Sequence, residues 1–271
     1  MKKFLSVLCL LLPVTAQADT QALQKAIEGK HRSEANVARD TYRNPLKTLE
    51  LFDIQPHHTV VEVWPGGGWY TEILAPYLKK EGQLIAAHYD TTDTQAPYRP
   101  DSRKGFEKKM ASNKVYSAVK VTSLMLDEKT GTLTLPAAKS GTVDRVVTFR
   151  GAHGMYSRGV LDATFAHLFD ILKPGGKLGI VQHQADPHQD WMSRNIGYVG
   201  KDFIISAAAK AGFVLDAEGY FNNNPKDHKR YKIGVWQLPP SLSNLKTDEE
   251  KAPYKAIGES DRMTLVFVKP L

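Results

Sequence analysis

The sequence predicts an α/β fold on a mostly parallel sheet, and three observations carry that expectation. Thr59-Val60-Val61-Glu62-Val63-Trp64 is β-branched and apolar with no turn former inside it, which suits a central strand covered on both faces. Pro65-Gly66-Gly67-Gly68 stops that strand, and Tyr70, Ile73, Leu74, Tyr77 and Leu78 then recur at helical spacing. Further β-branched runs alternate with amphipathic segments toward the C-terminus, the order of repeated βαβ units. In such a unit, nucleotide-like ligands sit above the carboxyl end of the first strand.

Size and composition fit one domain. The 271 residues are 42% hydrophobic and 24% charged, ordinary for a globular chain with a good core. Met1-Lys2-Lys3, the apolar run Phe4–Val14 and the small-residue site Ala16-Gln17-Ala18 read as a cleavable secretory signal, residues 1–18, with cleavage after Ala18. The apolar run is too short for a permanent membrane span, so no stable membrane insertion is expected after cleavage. The expected destination is the periplasm or the medium. Cys9 is the only cysteine and lies in the leader, so the mature chain has no disulfide, thiolate nucleophile or cysteine-ligated metal. Removing Lys2 and Lys3 leaves 34 basic against 29 acidic residues, a balance of +5. The lysines are scattered rather than striped, and nucleic-acid binding is not expected.

The elements follow in order. Residues 19–58 are expected to form a helical leader to the sheet, with one polar helix over Thr20–Asp40 and a second over Pro45–Ile54 that turns Leu46, Leu49 and Phe52 inward. Gly82–His88 reads as the second strand, Thr91–Arg103 as a loop, and Gly105–Ser112 as a helix. Val115–Leu126 contains a strand, with a turn at Thr130-Gly131-Thr132. Thr142–Phe149 is the fourth strand by the β-branched criterion, and Val160–Leu172 an amphipathic helix. Lys173-Pro174-Gly175-Gly176-Lys177 stops that helix and leads into the strand Leu178–Gln182. Lys201–Gly212 is helical and Phe213–Tyr220 a strand. Residues 222–260 form a long polar insertion with one apolar island at Tyr231–Leu238, and Met263–Val268 is the last strand.

The glycine turn discriminates between ligands. Gly66 and Gly68 match a dinucleotide fingerprint, but Thr71 stands where its third glycine belongs. Trp69-Tyr70 replaces the Lys-Ser/Thr pair of a Walker loop. Glu62 repels a pyrophosphate and attracts an ammonium or sulfonium group. The stretch therefore favours a nucleoside with a positive charge over one with several phosphates, and a nicotinamide dehydrogenase is disfavoured. An acid leaving the second strand commonly accepts from a ribose diol. His88 falls where that acid is expected and Asp90 comes two residues late, as a ribose ligand or as a simple turn cap.

Val60-Val61-Glu62-Val63-Trp64-Pro65-Gly66-Gly67-Gly68 resembles motif I of the class I S-adenosylmethionine-dependent methyltransferases. The run through Trp69-Tyr70-Thr71-Glu72-Ile73-Leu74-Ala75-Pro76 is similar to a subfamily of predicted exported bacterial methyltransferases, from about His31 to the C-terminus. Trp64 departs from the usual glycine. The resemblance implies a Rossmann-like, seven-stranded, mostly parallel sheet with an antiparallel last strand and helices on both faces. It implies S-adenosylmethionine as cofactor, a small-molecule acceptor, and contacts from Glu62, Trp64, Pro65, Gly66, Gly67, Gly68, Trp69, Tyr70, His88 and Asp90. Asp127 is placed near the adenine, or is a hairpin acid. The subfamily shares the His31-Arg32-Ser33 and Arg39-Asp40-x-Tyr42-Arg43 pattern, so residues 19–58 read as a lid or as a solvated edge helix.

Methyl transfer needs alignment and, where the acceptor is protic, a base. His153 stands where such enzymes keep acceptor-facing groups, as a base or as a loop histidine bonded to a carbonyl. Arg150 binds an anionic substrate or pairs with Asp40. His183, Asp186 and His188 leave the fifth strand as His-x-x-Asp-x-His, which matches no strong metal signature, so a polar loop is the default and no metal is expected. Export sets a second reading beside the enzyme, a catalytically silent protein that binds another ligand in the same pocket.

Overall fold

The computed structural model describes residues 14–92, 96–127, 132–192 and 195–271. The helices are α1 (Val14–Ile27), α2 (Glu34–Val37), α3 (Asp40–Arg43), α4 (Pro45–Leu51), α5 (Thr71–Leu78), α6 (Tyr98–Ala111), α7 (Ala152–Ser157), α8 (Leu161–Ile171), α9 (Lys201–Lys210) and α10 (Asp248–Ile257). The strands are β1 (Thr59–Val63), β2 (Gln83–His88), β3 (Lys120–Ser123), β4 (Met125–Asp127), β5 (Thr132–Thr134), β6 (Val143–Phe149), β7 (Leu172–His183), β8 (Val214–Gly219) and β9 (Arg262–Val268).

Seven strands form one sheet in the order β3-β2-β1-β6-β7-β9-β8, while β4 and β5 pair as a separate hairpin. The pairs β3–β2–β1–β6–β7 are parallel. β9 inserts antiparallel between β7 and β8, which the long connection after β8 allows. The order reverses between β1 and β6, and that switch point opens a crevice at the carboxyl ends of the two strands.

Both faces of the sheet are covered. Val60 joins an apolar layer with Leu23, Leu49, Phe52, Ile73 and Leu74, whereas Val61 and Val63 join one with Phe165, Leu168 and Ile204. A strand with apolar layers on both sides explains the unbroken β-branched run in β1. Gly179 in β7 marks one close approach, because a Cβ there would lie 2.4 Å from the Phe52 ring.

Three local expectations change. The helix expected over Thr20–Asp40 breaks at Ile27, and the chain restarts at Ser33, whose side chain caps α2. Buried Arg32 drives the break: its Nη1 donates to Ile27 O at 2.8 Å and to Asp40 Oδ2 at 2.7 Å, which a continuous helix could not allow. α6 starts at Tyr98, inside the segment read as a loop, because Pro100 falls in its first turn, where the missing N–H is harmless. The polar 222–260 stretch holds α10, which buries no residue and is set by a capping box between Thr247 and Glu250. The apolar side of α10 is narrow, with only Tyr254 and Ile257 packed, partly buried, against the cluster of Tyr198, Tyr231 and Leu238. Among the described residues no helix is long and apolar enough to cross a membrane.

Gly179→Ala should lower stability by about 1–3 kcal/mol by overpacking against Phe52. Denaturant unfolding of Gly179→Ala with and without Phe52→Leu checks this, since the second change should recover part of the loss.

Candidate functional site

The bend after β1 is built under constraint. Trp64 takes a left-handed φ of 51° and Gly66 one of 58°. For tryptophan that region is strained, and it is held here by its surroundings. The Trp64 ring turns to the Val61 side of the sheet, 5.3 Å from Tyr89 and packed near Gly154. On the other side Glu62 is 1% exposed and accepts a 2.6 Å hydrogen bond from Thr71 Oγ1. Thr71 therefore occupies the third fingerprint position as a partner for Glu62, a role glycine cannot fill. Burial pushes the Glu62 carboxyl up to about 7, against the weaker opposing pull of Thr71 and Lys109.

A cavity of about 100 Å³ lies over this carboxylate, with Pro65, Gly67, Trp69, Tyr70, Phe149, Asn36 and the arginines Arg39, Arg43 and Arg150 on its walls. A Cβ at Gly66 or Gly67 would meet nothing within 4 Å, so the bend is open on its outer side. Trp69 and Tyr70 do not fill that opening. Tyr70 stacks on Phe149 with centroids 3.4 Å apart and rings 8° from parallel, and its hydroxyl donates to Arg43 O. Trp69 Nε1 donates to Asn36 O at 2.9 Å, and its ring is flanked by Arg32 and Arg43. These two aromatic side chains clip residues 32–43 over the bend.

The other expected contacts separate. His88 is fully buried, with Nδ1 accepting from Tyr89 N at 2.8 Å and Nε2 facing Gly66 O at 3.1 Å. That pairing fixes the neutral tautomer with Nε2–H donating, and burial lowers the ring's pKa to about 4. His88 thus braces the glycine bend from below, and its ring is not open to a ribose. Asp90 accepts from Thr92 N and Oγ1 in a local turn. Asp127 ends the β4 strand, and its side chain lies outside the described residues.

Arg150 and His153, three residues apart, face different cavities. Arg150 lines the cavity over Glu62 and holds a φ of 62°; Asp40, its suggested partner, pairs bidentately with Arg32 instead. His153 lines a second cavity of about 410 Å³ with Tyr156, Trp191, Ile196 and Tyr198. Burial, then Arg150, lower the His153 pKa to about 4, so the ring is neutral at pH 7 and a weak base. Among the described residues no group of three His, Cys, Asp or Glu side chains is placed to hold a metal. His183 meets Ser260 Oγ, and Asp186 pairs with Lys229.

Arg43, Phe149, Lys109, Glu259 and Arg262 belong to this neighbourhood without having been singled out as ligand groups. Arg43 stands in the Arg39–Arg43 pattern, the one signal available. Glu259 and Arg262 arrive from the far end of the chain, and Lys109 Nζ reaches in from α6 to donate to Gly67 O at 2.8 Å.

No family model matches the chain, and no curated protein does. Solved structures do. Geranyl diphosphate C-methyltransferase from Streptomyces coelicolor A3(2) is 14% identical with a TM-score of 0.56, over 90% of this chain and 87% of that one. A putative sarcosine dimethylglycine methyltransferase from Galdieria sulphuraria is 13% identical with a TM-score of 0.56, over 93% and 98%. A SAM-dependent methyltransferase from Aquifex aeolicus is 16% identical with a TM-score of 0.52, over 73% and 90%. The chain has the Rossmann-like fold of these methyltransferases.

Glu62 retains its proton in the folded state between the ordinary 4.5 and about 7, a window in which the unfolded chain has released it. Its contribution to stability therefore falls as pH rises through that window, by on the order of 3 kcal/mol in full. Glu62→Gln should melt higher than the parent at pH 8, by roughly 5–10 °C, and close to it at pH 4. Scanning calorimetry across pH 4–8 reads the difference.

Proposed function

We propose that the chain is an S-adenosylmethionine-dependent methyltransferase of class I, acting on a small-molecule acceptor. One observation carries the reading: a bare glycine bend, open on its outer side, stands over a buried carboxylate at the switch point of a methyltransferase-type sheet. Keeping Glu62 buried works against stability, and a group retained on those terms is a functional candidate. When bound, the cofactor supplies a methyl group activated on a sulfonium.

The residues present fit the amino-acid end of that cofactor. Gly66 and Gly67 let a ligand approach the backbone, and Glu62 in its ionised form attracts an ammonium or sulfonium group. Tyr70 and Phe149, stacked on each other, form an apolar wall that excludes water from one side. Arg150 and the residues on the carboxyl end of β6 line the approach for an acceptor. The ribose end is different. His88 faces inward onto the Gly66 carbonyl and does not take a ribose diol, which leaves Asp90, beyond the end of β2, as the acid for that role.

That departure favours a second reading. A cavity of about 100 Å³ is well below the roughly 300–1,000 Å³ of pockets that hold a whole drug-sized ligand. An exported protein that binds a smaller ligand here without catalysis is consistent with it, and the leader Met1–Ala18 supports export in either case.

Titration calorimetry separates the two. Micromolar binding of S-adenosylmethionine or S-adenosylhomocysteine is expected; absence of both, with another compound retained on purification, would favour the silent protein. Gly67→Val should fold normally, since its Cβ position is open, and should abolish that binding. Affinity should rise from pH 6 to pH 8 as Glu62 ionises near 7, and the rise should disappear in Glu62→Gln.

A further inference from the structure

Four guanidinium groups, from Arg39, Arg43, Arg150 and Arg262, surround one carboxylate. Glu259 lies 2.6 Å from Arg39 Nε, 3.1 Å from Arg43 Nε and 3.2 Å from Arg262 Nη1. Burial alone would raise its pKa; Arg43, Arg262 and Arg39 override that and hold it at about 2. One negative charge does not balance four positive ones, and guanidinium groups keep their protons at any ordinary pH. Asp40 pairs with Arg32 and Asp261 with Lys229, while Glu62, on the same cavity, is bonded to Thr71 and its pKa is held by burial up to about 7, so it offsets little of the charge below neutral pH.

The imbalance has a direction. Arg39 Nη2, Arg43 Nη2 and Arg150 Nε are buried and have no hydrogen-bond partner. Arg43 is 2% exposed. Unsatisfied buried donors on charged groups are costly, and three on one cluster call for an acceptor. All three side chains line the cavity of about 100 Å³ beside Gly67. That volume admits several water-sized groups, room for a tetrahedral or planar oxyanion group. Arg150 is presented there from a left-handed backbone, a strained conformation kept at the carboxyl end of β6.

We infer that Arg39, Arg43 and Arg150 form a binding site for a multiply charged oxyanion group, such as a phosphate or a dicarboxylate, and that on the methyltransferase reading above this group is carried by the methyl acceptor. The cofactor does not meet the need itself. Its ammonium offsets its own carboxylate and its sulfonium adds a further positive charge, so binding it raises the local charge. Guanidinium forks pair with oxyanion oxygens two at a time, which suits a group with several such oxygens.

The test uses the full chain and inorganic phosphate. Thermal unfolding and titration calorimetry are run with phosphate and with sodium chloride at matched ionic strength. Phosphate should raise the melting midpoint where chloride does not, and Arg39→Gln and Arg150→Gln should each weaken phosphate binding at least tenfold. Arg39 stands at the rim with a side chain 20% exposed, so its variant remains informative if a more buried one misfolds. Equal effects of chloride and phosphate, or unchanged phosphate affinity in both variants, would overturn the site. Phosphate that still binds at saturating S-adenosylhomocysteine supports an acceptor group; phosphate displaced by it overturns that assignment and gives the arginines to the cofactor's carboxylate. Phosphate binding without any S-adenosylhomocysteine binding would leave the oxyanion site standing and remove the methyltransferase reading.

Discussion

Glu259 is tied to three arginines, two of them more than 200 residues earlier in the chain. Through Arg39 and Arg43 it fastens α2 and α3 to the entry of β9, and through Arg262 to the strand that fills the antiparallel slot. The carboxylate at the centre of this knot is 4% exposed, so it meets Arg43 and Arg262 at low screening, with Arg39 at the rim. Removing the carboxylate would leave several guanidinium groups buried together. With the Trp69 and Tyr70 clips, this acid holds residues 32–43 over the glycine bend and so shapes the cavity there.

The bend itself reconciles opposing demands. A strand end must turn sharply, leave its backbone bare on one side, and keep a carboxylate beneath it. Trp64 accepts a strained φ so that its ring can pack on the far side of the sheet. His88 supports the Gly66 carbonyl from below, while Lys109 reaches across to the Gly67 carbonyl. Lys109 also pairs with Glu72 at 2.7 Å, and Glu72 lies 3.7 Å from Arg32, so the braces of the bend and the clips of the N-terminal helices share charges. Chemistry at this site is bound to the same network that makes it rigid.

Dividing Arg150 from His153 bears on the transfer proposed above. The cavity that holds the carboxylate also holds the arginines, whereas the neutral imidazole looks into a larger cavity bordered by Trp191 and Tyr198. An acceptor that reached both would have to pass the carboxyl end of β6. With a ring pKa near 4, His153 suits an orienting hydrogen bond better than proton abstraction.

Much of the fold was legible in the sequence because local causes set it. The β-branched run of β1, the glycine stop, the amphipathic face of α8 and the long connection before the last strand are written in neighbouring residues, and so is the fold class. Glu62 and the bend were legible for the same reason. Helix α10 was not, since its apolar side is only Tyr254 and Ile257 and the cluster they meet forms with the tertiary structure, and the break after Ile27 was not, since it answers to the buried guanidinium of Arg32. The arginine knot lay beyond any local reading: Arg39, Arg43, Arg150, Glu259 and Arg262 come from distant segments and meet only when the sheet has formed. His88 shows the same division. Its position at the end of β2 follows from spacing, but whether its ring faces a ligand or a carbonyl is decided by packing, because burial rewards whichever partner satisfies both nitrogens.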